Sequence, residues 1–209
     1  MLEMMDMFVD PSDPDIELPN SIHAYQTAER IRLRHPENYS LQITGLIHDL
    51  GKILFKFGEP SWVVVGDTFV VGCKYSKNIV HFDTLKENPD YTNLKYNTGL
   101  GVYTKNCGLK NLLFSFGHDE YLYMVLKNSN CKLEDKYLDI IRYHSFYPWH
   151  SHNDYQYLMS EEYYKILKDV QYFNSFDLYS KNDDSNITNE IKNYYKNLLS
   201  DFFPDKILL

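Results

Sequence analysis

Cysteine is scarce in this 209-residue chain: Cys73, Cys107 and Cys131 are the only three, and none forms a CxxC pair. The odd count and wide spacing exclude a disulfide framework and a zinc knuckle, and the expectation is a reduced, cytoplasmic protein. No apolar run approaches the roughly 18 residues that mark a bilayer span, and MLEMMDMFVDPSDPD lacks the basic start and apolar centre of a secretory signal. Positive charge is also in deficit, with 21 Lys+Arg against 29 Asp+Glu and a net charge of -8. That balance argues against partners such as nucleic acid or an anionic membrane surface and leaves a small neutral substrate open.

What is abundant is apolar and aromatic material: 44% of the chain is hydrophobic and 16% aromatic, with 19 tyrosines and 12 phenylalanines. This suffices for one sizeable core, so residues 1–209 are expected to form one domain. Residues 1–20 carry Pro11, Pro14 and Pro19 and read as an extended arm. Asn20 or Ser21 is expected to cap a helix with Ile22, Tyr25, Ala28 and Ile31 on one face, ending at His35-Pro36. Ser40 precedes LQITGLIHDLGKILFKF, whose Leu41, Leu46, Ile47, Leu50, Leu54 and Phe57 predict one buried helix. WVVVGDTFVVGC (62–73), β-branched around Gly66-Asp67, predicts a small hairpin or extended insertion. Residues 74–104, with turn signals at Asn88-Pro89, Gly99 and Gly101, form a long connection. Helices are expected at about 108–115, 118–128, 134–144, 160–175 and 188–203, which makes the fold class all-α.

Eight histidines stand out against this background. His48-Asp49 falls among Leu46, Ile47 and Leu50, where two ionisable groups need partners. The bland explanation is a hydrogen bond or ion pair to a neighbouring helix. However, His23, His118 and His144 also sit at or beside core-facing positions of separate helices, and Asp177 interrupts the aromatic run YFNSFDLY. That is how metal sites are assembled inside helix bundles. Asp49, with two oxygens, could bridge two cations while His48 binds one. Imidazole and carboxylate without thiolate suit Fe, Mn, Ni or Zn, and ligand type does not choose among them. Lys52 shares a helix side with His48 and Asp49. It is either a structural lysine that snorkels to solvent or pairs with an acid, or a cation that lowers the pKa of a substrate hydroxyl or stabilises its alkoxide. Gly66-Asp67 alone is an ordinary turn signal.

The strings VDPSDPDIELPNSIHAYQTAE (9–29), GLIHDLGK (45–52), FGEPSWVVVGDTFVVGC (57–73), SFGHDEYLY (115–123), IRYHSFYPWH (141–150) and FNSFDLYSK (173–181) resemble the myo-inositol oxygenase family in order and spacing. The resemblance implies an HD-domain-like helical fold and a mixed-valent Fe(II)/Fe(III) di-iron centre, with two iron ions per chain. It further implies an oxidoreductase of inositol catabolism that cleaves the ring of myo-inositol with O2, giving D-glucuronate and water. The implied metal ligands are His23, His48, Asp49, His118, His144 and Asp177, with Asp49 bridging and Lys52 and Asp49 catalytic. The implied substrate contacts are Asp10, Pro11, Ser12, Lys52, Gly66, Asp67, His144, Ser145 and Lys181. His35, His81, His150 and His152 are expected to be non-ligands. Family members usually begin upstream, so the chain is expected to lack the usual N-terminal segment; a monomer is expected. The alternatives are an HD-superfamily phosphohydrolase or phosphodiesterase, which uses HDxGK too, and a truncated non-catalytic helical protein. The acidic balance and the GDTF and HSFYPWH segments weigh against the phosphohydrolase.

Overall fold

The computed structural model of the chain describes residues 19–178, 186–204 and 206–207. The expected arm and Asp10, Pro11, Ser12 and Lys181 lie outside the described residues. Helix α1 (Asn20–Arg34) begins after Pro19, whose carbonyl accepts from the Ile22 amide, and neither Asn20 nor Ser21 caps it. Both are instead buried in its first turn, beside Ala24, Tyr25, Ala28 and Ile31 on the core face. The cap of α2 (Tyr39–Ile47) is Asn38 rather than Ser40; the Asn38 side chain accepts from the Leu41 amide at 3.1 Å.

The single long helix expected beyond Ser40 breaks at the HD dipeptide. His48 and Asp49 form a turn, and Leu50–Phe57 continues as a 3₁₀ helix that ends on left-handed Gly58. The physical reason lies at Gly51, where a Cβ would sit 1.9 Å from the His118 carbonyl oxygen. The backbone is therefore drawn against the start of another helix, and only glycine allows that approach. The apolar pattern continues through the break, and so conceals it.

A short helix α3 (Ser61–Val64) precedes strand β1 (Val70–Val71). The extended segment expected near 62–72 is present, but its partner is distant: β2 (Leu113–Phe114) pairs antiparallel, Val70 with Phe114 and Val71 with Leu113. The helix expected at 108–115 is accordingly replaced by one 3₁₀ turn, Leu109–Asn111, followed by β2. So short an apolar run suits either state, and the β1 backbone decides it. The long connection runs over residues 74–104, broken by the helical turn α4 (Phe82–Leu85) and a 3₁₀ turn at Pro89–Tyr91.

The remaining helices are α5 (His118–Lys127), α6 (Asp135–Tyr143), α7 (Tyr147–His150), α8 (Tyr163–Asp177) and α9 (Asn189–Phe202). The fold is thus all-α, with one two-stranded sheet among the described residues. The core gathers Ile31, Ile43, Leu46, Ile47, Leu122, Ile141, Tyr143, Phe146, Trp149 and Phe173 from α1, α2 and α5–α8 and the turn before α7. Among the described residues no helix is long and apolar enough to cross a membrane.

Candidate metal centre

Five segments deliver polar side chains into this apolar interior. His23 comes from the first turns of α1, His48 and Asp49 from the break after α2, His118 from the first residue of α5, and His144 from the residue after α6. Asp177 ends α8. All six are buried or nearly so, with His23 the least enclosed. They assemble into two groups that share Asp49: His23–His48–Asp49 and Asp49–His118–His144.

The two oxygens of Asp49 face different groups. Its Oδ2 lies 3.6 Å from His48 Nε2 and 3.9 Å from His23 Nε2. Its Oδ1 lies 3.5 Å from His118 Nε2 and 3.6 Å from His144 Nε2. Asp177 Oδ1 joins the first group, 2.8 Å from His23 Nε2 and 3.2 Å from His48 Nε2. Such separations suit donors converging on a cation at bond lengths of about 2.0–2.2 Å.

Backbone carbonyls fix the imidazoles. The Nδ1–H groups of His48, His118 and His144 donate to the carbonyls of Gly45, Val64 and Ile141 at 2.8, 2.8 and 2.7 Å. A carbonyl can only accept, so each of these Nδ1 atoms carries a proton and Nε2 is the ring nitrogen turned toward the carboxylates. Burial alone would push the Asp49 carboxyl up, yet Lys52 and the surrounding histidines hold it well below the ordinary carboxylate range. Burial opposes ionisation of Asp177 too, and His48 and His23 hold it down in the same way. His118 is pushed below the usual imidazole range, chiefly by burial, which keeps its lone pair available. Carboxylates and imidazoles without thiolate are the donor set of a first-row transition metal such as iron, and the residues fit one.

Buried Lys52 donates from Nζ to Asp49 Oδ2 at 2.8 Å, so it belongs to the cluster rather than to the solvated surface. The 3₁₀ geometry sets this pair, because residues i and i+3 eclipse there. Buried Ser145 has its hydroxyl 3.2 Å from His118 Nε2. Gly66 and Asp67 line a cavity of about 820 Å³ with Trp62, Val80, Phe116 and Asp119. The Asp67 carboxylate accepts from the Val80 amide at 2.8 Å, and burial pushes its pKa up. The adjacent Thr68 links this cavity to the cluster, its amide donating to the Ser145 carbonyl at 2.9 Å and its hydroxyl donating to Asp119.

The family model described as myo-inositol oxygenase matches residues 1–209. The chain belongs to that family. Among its relatives, the probable inositol oxygenase of Oryza sativa subsp. japonica is 49% identical over 209 residues, covering 99% of this chain and 68% of its own. The inositol oxygenase of Sus scrofa is 48% identical over 204 residues, covering 97% of this chain and 72% of its own. Inositol oxygenase 1 of Arabidopsis thaliana is 48% identical over 208 residues, covering 98% of this chain and 67% of its own.

In this member of the myo-inositol oxygenase family, some supporting groups escaped the reading of the sequence. His150, expected only as a bystander, donates from Nε2 to the His144 carbonyl at 2.8 Å, and burial pushes its pKa down to about 4. His35 instead meets Tyr172 at the surface, 2.6 Å from its hydroxyl. The spacing in HSFYPWH offered the one available signal for His150: a second histidine six residues after a candidate ligand, within one tight turn.

Proposed function

We propose that this chain is an inositol oxygenase that converts myo-inositol and O2 to D-glucuronate and water at a mixed-valent di-iron centre. The proposal extends to one HD-domain-like unit over 1–209 that acts as a cytoplasmic monomer. Family membership supports the reaction and a metal cofactor. The observation that carries the di-iron reading is the placement of Asp49, with one carboxylate oxygen in each of two donor groups. His23, His48 and Asp177 would hold one iron and His118 and His144 the other, with Asp49 between them. An iron pair bound there supplies Lewis acidity toward a hydroxyl and one-electron chemistry toward O2.

The chain's own groups handle substrate and protons. Lys52, held at Asp49, offers positive charge where an inositol hydroxyl would ionise, a type of stabilisation worth roughly 2.7–4 kcal/mol. Ser145 can turn its hydroxyl from His118 toward a neighbouring polyol hydroxyl. Gly66 and Asp67, with Asp10, Pro11, Ser12, His144 and Lys181, complete the proposed substrate contacts. A neutral polyol accords with a net charge of -8, which gives no general attraction for a phosphorylated ligand.

The direct test loads the chain with iron anaerobically, adds a reductant and inositol, and follows O2 uptake and product. Glucuronate formed with O2 consumption is expected; inositol left intact, or phosphodiester hydrolysis without O2 uptake, would overturn the assignment.

A further inference from the structure

Helices α5 and α6 run antiparallel and are tied at both ends. At the far end, exposed Lys127 donates to Asp135 at 2.6 Å. At the near end, Arg142 makes a two-pronged contact with Glu120: Nε donates to one carboxylate oxygen at 2.6 Å and Nη2 to the other at 2.8 Å. Glu120 lies two residues after His118, and Arg142 two residues before His144. The fork therefore joins the two helices beside the two imidazoles that face Asp49 Oδ1.

Its surroundings make this near-end tie exacting. The Arg142 guanidinium packs over Tyr123 at 4.5 Å, Phe114 at 5.2 Å and Tyr143 at 5.5 Å, and Nη1 donates to the Tyr143 hydroxyl at 3.4 Å. Arg142 is buried, whereas both members of the far-end pair are solvated. A planar fork in an aromatic collar fixes both the distance and the rotation between two helices, which a point charge in water does not. Rotation is what the histidines need. Their Nε2 atoms stand 3.4 Å apart, and a small turn of either helix would carry one away from Asp49 Oδ1.

We propose that the Glu120–Arg142 pair is the positioning clamp of the His118–His144 half of the centre, setting the affinity of that half for its metal while leaving the His23–His48–Asp177 half unaffected. The proposal rests on the reading of this cluster as a metal centre. Neither residue touches the reacting atoms; both act through the imidazoles two positions away.

Ferrous iron titrated anaerobically into the full chain, with bound iron counted and the coupled-pair spectroscopic signal recorded, tests this. Arg142→Lys keeps the charge and loses the fork, Glu120→Gln keeps one acceptor, and Asp135→Asn removes the far-end charge pair as a control. Circular dichroism and Tm are read on the same samples. The clamp variants should bind their second iron about 10–100-fold more weakly and lose the coupled signal, with first-iron affinity unchanged. Asp135→Asn should bind both irons as the native chain does. Native affinity for both irons in Arg142→Lys and Glu120→Gln, with only Tm lowered, would overturn the clamp alone. A parallel loss in Asp135→Asn would overturn it as well, since any loosening of the helix pair would then suffice. A native chain that binds no iron would overturn the underlying reading together with the clamp.

Discussion

Around Asp49 Oδ2 the facing groups come from α1, the end of α2, the 3₁₀ helix and the end of α8, elements spread over most of the chain, and they include a second carboxylate, Asp177, and the Lys52 ammonium. Around Oδ1 they come from two antiparallel neighbours, α5 and α6, and among the described residues the donors facing it are imidazoles. The first half is thus assembled by the global fold and holds its second carboxylate together with the Lys52 cation. The second is assembled by one helix pair and its side-chain tie. This difference explains why a local clamp matters in one half, while the other depends on the packing of α1, α2 and α8 through residues such as Ala28, Ile31, Phe173 and Phe176.

The comparison breaks completely at the shared carboxylate. Asp49→Asn removes the charge from both halves, and iron uptake should fall by more than about 100-fold, beyond the loss typical of an outer partner. Catalytic turnover should fall with it. Elemental analysis and O2 uptake on the same sample check this; a retained coupled pair at native turnover would refute the bridge. Single-half substitutions are the next largest. Asp177→Asn and His144→Gln should each weaken one iron by about 100-fold and spare the other. Equal loss of both irons in both variants would show that the halves are not separable.

Gly51→Ala probes the place where the halves are pressed together, since Asp49 and Lys52 flank the glycine that meets the His118 carbonyl. An added methyl must push the 3₁₀ helix away from α5, at a cost of about 3 kcal/mol. For a chain of this size Tm should fall by roughly 6–12 °C. Calorimetry on the metal-free chain gives the answer, and an unchanged Tm would mean that the close approach is readily relaxed.

These features differ in how far the sequence displays them. The periodic helices were readable because apolar residues recur at the helical period, and His23, His48, Asp49, His118, His144 and Asp177 stood out as ionisable groups within those stripes. The break at His48-Asp49 was hidden because Leu46, Ile47, Leu50 and Leu54 continue the pattern across it, while its cause is a backbone contact to a residue far along the chain. The β1 partner was hidden because a two-residue strand carries no period of its own. Glu120 and Arg142 were unreadable as a pair, since charged residues on amphipathic helices usually face water. The one signal was an arginine amid Ile140, Ile141 and Tyr143, two residues before a histidine.

Acid titration of the metal-free chain sharpens the comparison by the smallest effect. His118 and His150, both on the Oδ1 side, have folded-state pKa values below the ordinary 6.5, the latter at about 4. The unfolded chain therefore binds protons at a higher pH than the folded one does. Stability is full above about pH 6.5 and declines as pH falls through the window down to the folded values, by up to about 1.4 kcal/mol per pH unit for each histidine. Asp177 is held below the ordinary 3.8, so its contribution is present above that pH and lost only as pH drops further. Urea unfolding from pH 7 to pH 3 should thus show a first decline belonging to the His118 side and a later one to which Asp177 contributes. His150→Gln, whose side-chain amide can still donate to the His144 carbonyl, should flatten the first decline, and Asp177→Asn should flatten the second. A first decline untouched by His150→Gln would assign that titration to other groups and remove the acid distinction between the halves.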